Sequence, residues 1–178
     1  MRQVLSIVAL LVCGTLPAAA QERASVGVTM GYPPSAGIIW HVSDRVAIRP
    51  TFNFSHISAE SENSPLKTSG LGSAFAVAAL FYTSLDDKLR TYVSPEFAYG
   101  HATTDSEGGA PSSNTIQNLY QFAGAFGAQY ALASRFSVYG EVGLAYSRNK
   151  TERTASIGTT TSDTLQTRSG VGVILYFK

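Results

Sequence analysis

Residues 167–178 read TRSGVGVILYFK, and this segment decides the fold. Successive side chains of a β-strand point to opposite faces, so the segment sorts into two sets. One face is mostly apolar and carries Ser169, Val171, Val173, Leu175 and Phe177. The other face is small, polar or amphipathic and carries Arg168, Gly170, Gly172, Ile174 and Tyr176. We therefore predict a strand with one apolar face at the end of this sequence.

This strand resembles the closing strand of bacterial outer-membrane β-barrels, which usually ends in an aromatic residue that the assembly machinery reads. Phe177 is that aromatic residue here, and Lys178 after it departs from the usual pattern. The resemblance implies that Val173, Leu175 and Phe177 form a signal for the barrel-assembly machinery. The alternative is an ordinary edge strand of a soluble sandwich.

The first twenty residues have the pattern of a cleaved secretory signal peptide. A short positive segment containing Arg2 precedes the apolar run 4–16, and residues 18–20 form an Ala-x-Ala cleavage pattern. The apolar run is too short to span a membrane. We predict a signal peptide at 1–20 and one barrel domain at 21–178. Because Cys13 lies in the signal peptide, no thiol remains for a disulfide, a nucleophile or a metal site.

The composition favours a membrane protein that crosses with strands. Charged residues make up 14% of the chain, well below the roughly 25% of soluble domains. After residue 20 no apolar run approaches the ~18 residues that a transmembrane helix needs. Without Arg2 the formal net charge falls from +1 to 0, which gives no indication of a nucleic-acid partner. We expect an exported protein of the outer membrane, surrounded by outer-membrane lipids.

Period-two alternation continues along the chain and predicts eight strands. They lie at residues 24–32, 36–42, 45–55, 69–82, 89–100, 115–132, 136–147 and 167–178. The alanine-rich segment 69–82 is also compatible with a helix, but Gly70, Gly72 and the alternation favour a strand. Connections are short at one end, and the polar segments 57–68, 102–114 and 149–163 are predicted to be longer loops at the other.

The distribution of aromatic residues indicates which face points outward. On the apolar face they lie near the strand ends, as in the two interfacial girdles of membrane barrels. The predicted girdle consists of Trp40, Phe81, Tyr130, Phe136 and Phe177 near the short turns, and Phe54, Tyr99, Tyr120 and Tyr146 near the long loops. The alternative is a soluble lipocalin-like barrel, in which the apolar face would point inward to a core or a ligand.

The whole segment 21–178 resembles the small OmpA/OmpX-type barrels. This resemblance implies an all-β fold, an eight-stranded antiparallel up-and-down transmembrane β-barrel with short periplasmic turns and longer outer loops. We also expect a monomer without a cofactor.

Four charged residues fall within strands on the predicted lumen face: Arg49, Glu96, Glu141 and Arg168. An eight-stranded barrel is just wide enough for side chains to fill it, so charges there have little water and should pair. We predict an internal salt-bridge network, with Gln121, Gln129 and Tyr139 as neutral partners. The network would plug the lumen. The alternative is a gated ion path.

A second polar set, His56, Ser58 and Glu60, faintly resembles the catalytic residues of outer-membrane lipid A deacylases. His56 would act as base for Ser58, with the carboxylate orienting the histidine. His41 and His101 are predicted at opposite ends of the barrel, and no metal-ligand spacing is present.

We therefore expect a non-enzymatic protein with a structural role or a role in surface interaction through its loops. The alternatives are a lipid A-modifying hydrolase on the same barrel, a small pore, or a soluble ligand-binding barrel. No feature of the loop sequences identifies an extracellular ligand.

Overall fold

The computed structural model describes residues 26–60, 67–84, 86, 88–107, 113–154 and 158–177. The predicted signal peptide and Lys178 lie outside these ranges. Eight strands follow one another along the chain: β1 (Val26–Tyr32), β2 (Ser35–Ser43), β3 (Val46–Glu60), β4 (Lys67–Tyr82), β5 (Leu89–Glu107), β6 (Ser113–Ala133), β7 (Phe136–Arg153) and β8 (Thr159–Phe177). No helix within the described ranges is long and apolar enough to cross a membrane.

The strands form one closed barrel in which each pairs antiparallel with its neighbours in sequence. The seam between β1 and β8 closes it, running from the pair Val26–Phe177 to the pair Tyr32–Val171. The predicted eight-stranded up-and-down barrel is therefore confirmed. The alanine-rich segment forms β4, so the helical alternative is wrong there.

The register fixes the shear of the barrel. The rung that starts at Val28 passes through Val77 and Phe122 and reaches β8 at Leu165, whereas the seam pairs Val28 with Leu175, ten residues further along. Ten residues at ~3.3 Å each, against a circumference of eight strands at ~4.8 Å, give a strand tilt of about 40°.

The two faces of the wall differ as a transmembrane barrel requires. Large apolar side chains such as Phe75, Phe126 and Val142 are exposed on the outside. The inside is narrow and filled, with Ile39 and Leu80 buried there together with alanine and tyrosine side chains. The apolar face points outward to lipid, as predicted, and the lipocalin-like alternative with that face inward is wrong.

The predicted long outer loops are, where the structure describes them, mostly strand, which corrects several predicted boundaries. β3 continues to Glu60, β5 to Glu107 and β7 to Arg153, while β8 already begins at Thr159 rather than at residue 167. These extensions carry polar side chains on both faces, so they lack the apolar alternation that marks a half-buried strand. Pairing continues regardless, for example between Ser58 and Ser69.

The hairpin of β1 and β2 is much shorter than the others. β1 has 7 residues and β2 has 9, whereas β3 to β8 have between 15 and 21. The wall is therefore a complete cylinder only up to the β1–β2 turn. Above that level the six strands β3 to β8 continue as an open curved sheet, the extension.

A glycine inside the barrel provides a test of this packing. A Cβ at Gly127 would collide with the ring of Tyr92, which is buried. We expect Gly127→Val to destabilise the barrel by about 1–3 kcal/mol or to prevent folding, since overpacking displaces a fixed side chain. The measurement is urea unfolding of the refolded protein, with the heat-dependent gel shift as the check on folding.

Gly124 is the matched control, because it lies on β6 facing outward with no heavy atom within 4 Å of a Cβ built on it. Gly124→Val should unfold at nearly the wild-type urea concentration. Equal stability of the two variants would show that Tyr92 does not occupy the space over Gly127.

Candidate functional site in the barrel lumen

Two buried ionic groups meet in the middle of the lumen. Arg49 on β3 and Glu141 on β7 approach to 2.6 Å between Nη2 and Oε1. Their side chains are only 4% and 3% exposed. Because β3 and β7 lie on different sides of the barrel, this ion pair crosses the lumen.

The second pair adjoins the first. Arg168 on β8 donates from Nη1 to Glu96 Oε1 at 2.5 Å and from Nη2 to Glu96 Oε2 at 3.3 Å. Its Nη2 also lies 3.9 Å from Glu141 Oε2, which links the two pairs. Arg49, Glu141, Arg168 and Glu96 thus form a continuous chain of alternating sign with no net formal charge, the charge network.

Two tyrosines complete this network. The Tyr92 hydroxyl donates to Glu141 Oε1 at 2.9 Å. The guanidinium of Arg49 lies 4.9 Å from the centre of the Tyr139 ring, within the range of a cation–π contact. The second guanidinium nitrogen of Arg49, Nη1, is buried and donates to no protein atom in the described ranges. Arg49 is therefore held by charge and ring contact more than by a full set of hydrogen bonds.

Glycines on the inward face make room for these rings. A Cβ at Gly127 would overlap Tyr92, and a Cβ at Gly31 or Gly172 would lie within 2.7 Å of the Tyr139 hydroxyl. The glycine-rich inward face is thus a set of recesses for aromatic side chains. Sequence reasoning identified the small residues but not the ring that each one accommodates, because the partners lie on other strands.

Of the three predicted neutral partners, the structure places one beside the charges. Tyr139 contacts Arg49, as expected. Gln129 instead belongs to a separate cluster, and no hydrogen bond within the described ranges joins Gln121 to the four charged residues. Tyr92 was missed, although it shares the inward face of β5 with Glu96. The alternation predicts that Tyr92 points inward. It does not predict the contact with Glu141, because that residue is 49 positions away on another strand.

A second polar cluster lies nearer the short turns and is called the tyrosine layer here: His41, Tyr82, Gln129 and Tyr176. The Tyr82 hydroxyl donates to Gln129 Oε1 at 3.0 Å, and Gln129 Nε2 donates to the Tyr176 hydroxyl at 2.9 Å. His41 Nε2 lies 3.0 Å from the same hydroxyl, and its ring stacks on Tyr82. Side chains from four different strands therefore meet across the lumen at this level.

The residues of the hydrolase hypothesis do not form a catalytic set. His56, Ser58 and Glu60 occupy alternate positions on the outward face of β3, and all three are exposed. No hydrogen bond joins any two of them, and Glu60 pairs with Lys67 at 3.1 Å. His101 lies on β5 beside Asn118, far from His41. Within the described ranges no three His, Cys, Asp or Glu residues are grouped as a metal site requires.

The girdle residues all lie on the outside of the barrel. Each is exposed: Trp40, Phe54, Phe81, Tyr99, Tyr120, Tyr130, Phe136, Tyr146 and Phe177. Some of them contact across strands, as Tyr99 and Tyr120 do with ring centres 5.2 Å apart. Leu175 and Phe177 of the expected assembly signal are exposed as well, with Val173 partly covered.

The charges of the extension are of a different kind, because they are open to water. Arg148 donates to both carboxylate oxygens of Asp163, at 2.8 and 3.1 Å. These hydrogen bonds lower the pKa of the Asp163 carboxyl. Exposed pairs of this type add little to stability, in contrast to the buried network.

The fold is shared with a solved outer-membrane protein. A major outer membrane protein from Thermus thermophilus matches 85% of this chain and 98% of its own, with a TM-score of 0.58 and 10% sequence identity. CarO2 and CarO of Acinetobacter baumannii match 86% and 87% of this chain and 97% and 98% of their own, at 14% and 13% identity. Both have TM-scores of 0.44.

No protein-family model matches the chain, and no curated protein matches its sequence. At 10% identity the Thermus protein shows the fold and nothing finer. Together with the apolar outward surface, it supports the prediction of an eight-stranded β-barrel of the outer membrane.

The charge network predicts a large loss of stability when one charge is removed. Glu141→Ala leaves Arg49 buried without its carboxylate, so we expect the free energy of unfolding to fall by about 3–5 kcal/mol. Glu60→Ala removes an exposed ion pair and should cost about 0–1 kcal/mol. Urea unfolding in detergent measures both. Equal losses would contradict the view that the buried network stabilises the barrel.

Proposed function

We propose that this protein is a non-enzymatic, monomeric outer-membrane barrel whose lumen is plugged. Its role is structural or consists of interactions at the cell surface. The observation that carries the proposal is the unbroken chain from Arg49 through Glu141 and Arg168 to Glu96. Eight strands leave a lumen just wide enough for side chains, so a cross-lumen ion pair occupies the space that a channel would need.

The tyrosine layer supports the same function independently. It closes the lumen near the short turns, while the charge network closes it further up. A hydrated ion would have to displace both layers, which have no hydrogen bond in common. The small-pore alternative therefore requires two separate rearrangements.

The surface-interaction role is supported by the extension. Its upper part presents polar and charged side chains, such as the pairs Arg148–Asp163 and Lys150–Glu152. Membership in the OmpA/OmpX-type barrels, and assembly through Val173, Leu175 and Phe177, belong to the same proposal. The hydrolase alternative has less support, because its three residues make no contact suited to proton transfer.

Planar-bilayer recording tests the plug. We expect no steady conductance from the wild-type protein. The variant with both Tyr82→Ala and Tyr176→Ala should also remain closed, because the charge network is intact. Adding Arg49→Ser and Glu141→Ser should produce open events, since the ion pair that crosses the lumen and both tyrosine rings are then gone.

Each variant is first checked for the heat-dependent gel shift, so that only folded barrels are recorded. Steady conductance by the wild-type protein, or by the variant lacking only the tyrosine layer, would overturn the plug. Lipid A extracted from cells that overproduce the protein should be unmodified, and deacylated lipid A would favour the hydrolase instead.

A further inference from the structure

The short β1–β2 hairpin leaves two strands without a partner on one side. β2 pairs with β3 only as far as Phe52, and β1 pairs with β8 only as far as Val171. Beyond these residues, among the described strands, β3 pairs only with β4 and β8 only with β7. The gap between them spans three strand spacings, or about 14 Å. The extension therefore has a lateral notch above the Pro33–Pro34 turn.

The lower part of this notch lies within the apolar band. Residues 165–170 of β8, the β8 edge, pair on their other side with β7 residues that are exposed and apolar: Val142, Leu144 and Tyr146. Tyr146 belongs to the outer girdle, so the β8 edge begins at that level and continues below it. Unpaired backbone groups facing hydrocarbon are costly, so this edge needs a polar partner.

The side chains of the β8 edge are polar where the surrounding surface is not. Thr167 and Ser169 point outward beside Leu144 and Val142. Hydroxyl groups and free backbone amides therefore meet at one place on a surface that is otherwise apolar. No charge of the described residues on the outward face of β7 or β8 lies at or below the level of Tyr146, and Arg168 points inward to Glu96.

An apolar groove of about 310 Å³ runs along the outside of the wall up to this edge. Its floor is formed by small residues, Ala128, Gly140 and Ser169, and its sides by Tyr32, Phe126 and Val171. A Cβ at Gly140 would have only a backbone oxygen at 4.0 Å as a neighbour, so the floor is open toward lipid. The groove and the β8 edge meet at Ser169 and Gly170.

We propose that the groove and the β8 edge together form a binding site for one amphiphile of the outer leaflet. An acyl or alkyl chain lies in the groove. An uncharged head with hydroxyl or amide groups hydrogen-bonds to the β8 edge, because backbone amides and carbonyls need both acceptors and donors. The lack of a cation facing this place, among the residues that the structure describes, argues against a phosphate head.

A second copy of the protein does not fit the same edge. Strands tilted by about 40° in two upright barrels would cross at about 80° where the barrels touch, so they could not pair along their length. An amphiphile meets no such restriction and is available all around a protein embedded in lipid.

Photolabelling tests the site. The folded protein, reconstituted in vesicles of zwitterionic phospholipid, is irradiated with an alkyl glycoside that carries a diazirine in its chain, and labelled peptides are quantified. Label should concentrate on the β6–β8 wall. Gly140→Leu fills the groove and should reduce this label about tenfold, the loss expected when roughly two methylene contacts disappear.

Gly124→Leu is the matched control, an outward glycine of the same wall that does not line the groove, and it should leave the label unchanged. Ala128→Leu is a second groove variant in case Gly140→Leu does not fold. Label spread around all strands in proportion to exposed surface, or label that survives both groove variants, would overturn the site.

Competition with unlabelled detergents tests the head. An alkyl glycoside should compete better than an alkyl phosphate of equal chain length. Equal or better competition by the phosphate would overturn the uncharged head. Neither outcome depends on whether the lumen conducts, so this test and the test of the plug are independent.

Discussion

Closure of the backbone hydrogen bonds is the constraint on which the rest of this structure depends. In lipid, N–H and C=O groups have no water as a partner, so a sheet must pair its first strand with its last. Here the described part of that seam is short, with 7 residues of β1. Seven rungs from Val26 to Tyr32 hold the cylinder closed, and the shear of ten sets its tilt and its narrow bore.

The narrow bore determines the interior. Eight strands enclose too little space for a row of large side chains on every strand, so some inward rings occupy recesses over glycines on other strands. Tyr92 lies against Gly127, and Tyr139 lies against Gly31 and Gly172. The same lack of space excludes bulk water, which is why the inward charges pair with one another. Arg49 and Glu141 are both buried, and each is the counter-charge that offsets the loss of water around the other.

The unequal hairpins give one chain two environments. Below the β1–β2 turn, every strand has two neighbours and one face in lipid. Above it, β3 to β8 form an open sheet, whose lower part keeps apolar side chains such as Leu144 on its outward face and whose upper part is polar on both faces. The described parts of the predicted loops 57–68, 102–114 and 149–163 lie in this upper part as strand. Alternation reports a difference between two faces, and a strand with polar side chains on both faces carries no such signal.

The sequence by itself determined the number of strands and the outward face of each, including the aromatic residues that this face carries, because these follow from period-two alternation. It also identified the four inward charges. Only the tertiary structure decided which charge meets which: Arg49 pairs with a glutamate 92 residues away, and Tyr92 rather than Gln121 or Gln129 completes the network. Those contacts depend on the register and shear of the closed barrel. All eight strands set the register and shear together, so the sequence of one strand does not predict them.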